Sequence, residues 1–93
     1  MEEVWLVTAE RRCGTTVVGV FRRLKTARQQ ARMAAAERGC QELEEVEEDD
    51  DFNVIERDAL GQLPDGKAVR EVTLKGEGAT AYWTFTVRPC RVR

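Results

Sequence analysis

The sequence predicts an α+β domain of two layers, in which an antiparallel sheet of about five strands carries one helix on one face. Three observations lead to this class. Residues near the C-terminus alternate apolar and polar side chains, residues 24–38 repeat alanine at helical spacing, and two β-branched runs near the N-terminus flank a glycine turn. The expected element order is β-β-α-β-β-β, in a single domain that covers residues 1–93.

The first half of the chain predicts a hairpin followed by a helix. Residues 3–9 and 15–21 are rich in Val, Thr and aromatic residues and predict two strands joined by a turn. The helix is predicted over residues 24–38, and Gly39 suits its left-handed end. Its apolar sector is almost entirely alanine, so we expect it to lie close to the sheet; the sector contains Leu24, Ala27, Ala31, Ala34 and Ala35.

The second half predicts three more strands. The third is expected at residues 51–56, where Phe, Val and Ile recur, and a loop with a Pro64-Asp65-Gly66 turn follows it. A terminal hairpin is expected from two strands, at 68–74 and 79–88, joined by a turn at 75–78. Pro89 is expected to close the last strand because proline cannot donate to a ladder, leaving residues 90–93 as a loose basic tail.

Charge is segregated along the chain although the net charge is only −2. Residues 11–38 carry eight Arg or Lys and one acid, residues 39–66 carry eleven acids and one base, and residues 67–93 carry six bases and two acids. The densest stretch runs from Glu42 to Asp51, where only Leu43 and Val46 are not acidic. This basic, acidic, basic order points to an interaction surface, either within the molecule or with a partner.

Composition argues against catalysis. The chain has no His and no Ser, and its three cysteines, Cys13, Cys40 and Cys90, form neither a disulfide framework nor a zinc motif. The glycines match no phosphate-binding spacing, and adjacent acids do not converge as calcium ligands do. We therefore expect no catalytic residues, no cofactor and no metal site. No apolar run is long enough to span a bilayer and the N-terminus is acidic, which predicts a cytoplasmic protein without membrane contact.

Four segments together resemble a class of small phage and prophage α+β proteins. They are Val-Trp-Leu-Val at residues 4–7, Val-Val-Gly-Val-Phe at 17–21, Lys-Thr-Ala-Arg-Gln-Gln-Ala at 25–31 and Asp-Phe-Asn-Val-Ile-Glu at 51–56. The resemblance covers residues 3–57, and it departs from the pattern at Arg22 and Arg23, where Ser or Thr would cap the helix. It implies a mobile-element accessory protein, a setting that includes anti-CRISPR inhibitors of host defence.

Three binding hypotheses follow from the charges. In the first, an acidic surface imitates a nucleic-acid backbone and blocks a host protein with a basic surface, such as a defence nuclease. Its predicted contacts are Glu44, Glu45, Glu47, Glu48, Asp49, Asp50 and Asp51. In the second, an Arg-rich helix flank binds nucleic acid or another anion through Arg22, Arg23, Lys25, Arg28 and Arg32. In the third, acidic and basic blocks neutralise each other, within a monomer or in a homodimer.

Overall fold

A computed structural model describes residues 2–92 and shows one helix packed on an antiparallel five-stranded sheet. The elements in chain order are β1 Glu2–Arg11, β2 Gly14–Phe21, α1 Leu24–Glu37, β3 Glu44–Glu48, β4 Glu71–Glu77 and β5 Tyr82–Val92. The strands lie in the order β2-β1-β5-β4-β3, and every neighbouring pair is antiparallel. The predicted α+β class and the element order are confirmed.

The core lies between α1 and the three middle strands. Alternation in β5 places Phe85 and Val87 on the helix side, where both are fully buried and Trp83 packs against the cluster. Val7 of β1 and Leu74 of β4 meet them from either side. β5 occupies the centre of the sheet and is hydrogen-bonded on both edges. The strict alternation of apolar and polar residues in the sequence therefore predicted the central strand.

The predicted alanine face of α1 is the face that packs against the sheet. Ala27, Ala31, Ala34 and Ala35 are all buried, so the helix axis can approach the strands closely. Gly39 follows with φ +84°, the left-handed conformation expected at the helix end. The helix begins after Arg23 with no side-chain cap and no acid in its first turn, so its start lacks the usual neutralising groups.

The third strand was predicted in the wrong place. Residues 51–56 form a turn and a short irregular segment, whereas the strand is Glu44–Glu48, inside the acidic run. Val46 is the only apolar residue of this strand, and ion pairs neutralise Glu45 and Glu47, the two carboxylates that face the helix. A strand with four acids in five residues is thus stabilised by partners far away in the chain, which local propensity does not reveal.

The terminal hairpin is shifted relative to its prediction. Its turn lies at residues 78–81, where the Gly78 N–H donates to the Ala81 carbonyl, and Gly76 is part of β4. A Cβ on Gly76 would lie 2.6 Å from the Glu42 carbonyl oxygen, so this glycine permits a close backbone approach and does not form a turn. The spacing of glycines in the sequence does not show whether a glycine forms a turn or permits a close backbone approach.

Pro89 does not close the last strand, and the predicted loose tail is ordered through residue 92. Pro89 pairs with Trp5 and β5 continues alongside β1, while Arg93 lies outside the described residues. The pairing of β4 with β5 stops at Val72 and Val87, so Pro89 has a strand neighbour on one side only. Such an edge-like position tolerates a residue that lacks an N–H.

Candidate functional site

Strand alternation divides the acidic run into two sets that face opposite ways. Glu45 and Glu47 pair with Leu74 and Val72 of β4 and lie on the helix side of the sheet. There Arg28 of α1 contacts both carboxylates, and its Nη1 lies 3.3 Å from Glu47 Oε2. The two sequence-predicted sites, acidic and basic, therefore meet each other across the layer between helix and sheet.

Arg32 and Arg28 share the Glu45 carboxylate. Arg32 donates to it in a bidentate manner, with Nε 3.0 Å from Oε1 and Nη2 2.9 Å from Oε2. The side chains of Arg28 and Glu45 are mostly buried, whereas Arg32 is about half exposed. These helical arginines lie four residues apart, which places both guanidinium groups over the same edge of the sheet.

Glu47 has a second cation, which comes from the loop. Arg57 donates to it through Nε at 2.7 Å and Nη2 at 2.8 Å. The hydrogen bond from Arg57 lowers the pKa of Glu47 below its usual value, with further lowering by the charges of Arg28 and Arg57 and opposition from burial. Arg57 is the one base between residues 39 and 66, and this isolation was a signal that the sequence interpretation did not use.

Asp49 organises the turn after β3. Its Oδ1 accepts backbone N–H groups of Asp51 at 2.9 Å and Asn53 at 3.0 Å, and Lys67 Nζ lies 3.1 Å from Oδ2. The residue is only 6% exposed. The bond from Asn53 lowers the pKa of Asp49, and Lys67 and Asp51 lower it further against burial. Asp49 therefore holds the loop and is not presented to solvent.

Stability should fall in acid because of these two carboxylates. Their pKa values are lower in the folded chain than their ordinary values of 4.5 for Glu47 and 3.8 for Asp49, so the unfolded chain binds protons first as pH falls. Their contribution is complete above the ordinary values and is lost as pH drops towards the folded-state values. Urea unfolding across this range should show the decline, and Glu47→Gln should make it shallower; an unchanged slope would contradict the assignment.

Two of the remaining acids are exposed, and they immediately precede a strained aromatic residue. Asp50 and Asp51 are exposed, with Asp50 making one exposed ion pair to Arg70 at 3.2 Å. Phe52 is 74% exposed and has φ +62°, a left-handed conformation that is unusual for an aromatic residue. We call Asp50, Asp51 and Phe52 the acidic tip. Glu44 and Glu48 lie on the face of β3 opposite to Arg28 and take no part in the ion pairs of Glu45 and Glu47.

A tight turn imposes the backbone of the acidic tip. The Phe52 N–H donates to the Asp49 carbonyl at 3.0 Å, and the Asp49 N–H donates to the Asn53 carbonyl at 3.0 Å. The fourth position of such a turn favours glycine, because a left-handed conformation costs other residues about 1–2 kcal/mol. A shallow cavity of about 530 Å³ adjoins Phe52, with Arg70, Arg88 and Pro89 in its lining. Sequence reasoning missed Phe52 because it treated residue 52 as the apolar content of a strand.

The predicted anion site on the helix is partly occupied by the chain itself. Arg28 and Arg32 bind Glu45, and Arg22 lies 3.7 Å from Glu2, while Arg23 and Lys25 are exposed at the helix start. The five residues are therefore not one free surface. Anion binding there stays a prediction that concerns chiefly Arg23 and Lys25.

The thiols and acids of the described chain form no group that could hold a metal ion. Cys13 and Cys90 are exposed and Cys40 is buried, and burial raises the pKa of the Cys40 thiol against the effect of Arg38. An open cleft of about 690 Å³ beside Tyr82 has a mixed lining that includes Glu44 and Lys75.

Within the described part of the chain, no helix combines the length and apolar character needed to cross a bilayer. Searches of protein-family models, curated proteins and solved structures found no match to this chain.

Proposed function

We propose that this protein is a non-enzymatic interaction module that binds a basic surface of a partner protein through the acidic tip. The supporting observation is Phe52, which is exposed and has a left-handed backbone conformation. It follows the exposed carboxylates of Asp50 and Asp51 in a turn that Asp49 organises. A strained residue at the surface is retained where the surrounding structure over-determines it, and functional contacts are where such residues cluster. Aromatic residues, phenylalanine among them, are also enriched in protein interfaces, where a polar rim surrounds the buried centre.

The partner class follows from the charge of the tip. Asp50 and Asp51 attract cationic side chains and steer association, while Phe52 supplies apolar area that a carboxylate-only surface lacks. The resemblance to phage and prophage proteins makes a host protein the proposed target, and a nuclease or other nucleic-acid-binding protein has the basic surface required. Occupying that surface would block its nucleic acid, as an anti-CRISPR-like inhibitor does.

Capture from bacterial lysate at low salt tests the proposal. Wild-type protein should retain a nucleic-acid-binding protein and release it at high salt, because exposed charge interactions are screened. Asp50→Lys/Asp51→Lys should capture at least about tenfold less of it. Phe52→Gly should also weaken capture while stability is kept or raised, because glycine relieves the left-handed cost of about 1–2 kcal/mol.

The matched control reverses two acids elsewhere. Glu56 and Asp65 are exposed and make no side-chain hydrogen bond or ion pair among the described residues, so Glu56→Lys/Asp65→Lys changes the net charge equally. It should capture as well as wild type. Equal losses in both double variants would mean that overall charge drives retention, and normal capture by the tip variants would refute the proposed contact. Competition between the captured protein's nucleic acid and this chain then tests the blocking role.

A further inference from the structure

The two edges of the sheet are protected to very different degrees. β3 forms one edge with five residues, of which four are acidic. Its outer side is also partly covered, because Ile55 N–H donates to the Glu47 carbonyl at 2.8 Å and Glu48 forms a bridge with Val54. Short length, charge and a covering segment are the devices by which proteins prevent unwanted strand pairing.

β2 forms the other edge and lacks most of those devices. Its sequence, Gly-Thr-Thr-Val-Val-Gly-Val-Phe, contains no charged residue and no proline. Val17 is 61% exposed and Val20 is 54% exposed, and in the described chain β1 is the only strand paired with it. A β-bulge at Val18 twists the strand, but the outer backbone groups of β2 have no ladder partner within residues 2–92. An unpaired, uncharged edge of this kind is a template for an added strand.

Cations flank this edge at both ends. Arg12 precedes β2 and Arg23 follows it, both are exposed, and neither has an ion-pair partner in the described part of the chain. Arg22 adds a further exposed charge beside Arg23, with a weak contact to Glu2 at 3.7 Å. The edge therefore combines a neutral centre with two basic ends, the reverse of the charge pattern of β3.

We infer that the β2 edge binds an extended segment of a partner protein that has a β-branched, uncharged centre and acidic residues at both ends. Main-chain hydrogen bonds to β2 supply the affinity, and the flanking arginines select the charge. Pairing with a second copy of this chain fits poorly. Full antiparallel pairing of β2 with β2 places Arg12 of one copy beside Arg23 of the other, and the outer side of β3 is already partly covered. This site is separate from the acidic tip and does not depend on the proposed function.

Synthetic peptides long enough to reach from Arg12 to Arg23 along the β2 edge provide the test. An alternating valine–threonine peptide with glutamates at both ends should bind and should slow amide hydrogen exchange along Gly14–Phe21. The same peptide with lysines at its ends should bind at least about tenfold more weakly. A glutamate-flanked peptide with a central proline should not protect β2, because proline lacks the N–H that an added strand donates.

A charge-swapped protein makes the test specific. Arg12→Glu/Arg23→Glu alters two exposed side chains outside the core and should prefer the lysine-flanked peptide. Equal binding of both peptides, an unchanged preference in this variant, protection located away from β2 or no binding at all would each overturn the inference. A doubled mass in light scattering, with β2 amides already protected in the free protein, would assign the edge to a second copy and also overturn it.

Discussion

Glu47→Lys should lower the free energy of unfolding by about 2 kcal/mol. The substitution would place an ammonium group against Arg28 and Arg57, which both bind Glu47 in the native chain. The Glu47 side chain is 12% exposed and Arg57 is more accessible, so the cost lies between the roughly 0–1 kcal/mol of an exposed pair and the roughly 3–5 kcal/mol of a broken buried one. Urea or thermal unfolding measures the difference directly.

Glu48→Lys is the matched control for that variant. Glu48 is the next residue of β3, points to the opposite face and lies across from Glu71 of β4. The same change of charge there replaces a like-charged pair with an opposite pair, so stability should be unchanged or slightly higher. Equal destabilisation by the two variants would show that the total charge of the acidic run matters and that its alternation does not.

The contrast between these neighbours bears on any charge-reversal study of the acidic run. A variant in which lysine replaces all four of Glu47, Glu48, Asp49 and Asp50 would disrupt the internal ion pairs and the turn held by Asp49. Loss of binding in such a variant would report unfolding and not a lost contact. Charge reversal at the acidic tip separates the two effects, because Asp50 and Asp51 have no buried partner in residues 2–92.

Periodicity predicted the elements whose stability is local or whose pattern reflects one buried face. The alanine sector of α1 and the alternation of β5 each record burial against the core, so the helix and the central strand were found near their true positions. β3 was missed because Glu45 and Glu47 are stabilised by Arg28, Arg32 and Arg57, which are distant in sequence. Its acids consequently resembled a solvated run.

The residues of the candidate site were partly predictable for the same reason. The sequence pointed to both charge blocks, but it contained no information on which acids face the helix until the register of β3 was known. Asp49 looks like its neighbours in the sequence, yet it is buried and holds a turn. The conformation of Phe52 follows from that turn, so neither its exposure nor its strain is apparent from residue type.

Ala31→Leu should be the most destabilising single substitution considered, with a loss of about 3 kcal/mol. Ala31 is fully buried between α1 and the sheet, and a larger side chain there must push the helix outwards or distort its neighbours. Ala36→Leu is the matched control, because Ala36 is exposed on the same helix and leucine is nearly as good a helix former as alanine. Chemical denaturation should show a large loss for the first variant and almost none for the second.

A double variant connects this packing to the ion pairs. Ala31 lies between Arg28 and Arg32, so moving the helix away from the sheet also withdraws both guanidinium groups from Glu45 and Glu47. Once Ala31→Leu has loosened those contacts, Glu47→Lys has less left to disrupt, and the combined loss should be smaller than the sum of the single losses. Strict additivity would mean that the helix keeps its position and that the ion pairs form independently of the alanine face. A combined loss smaller than the sum of the single losses would instead show that close packing of small residues brings the basic and acidic blocks into contact.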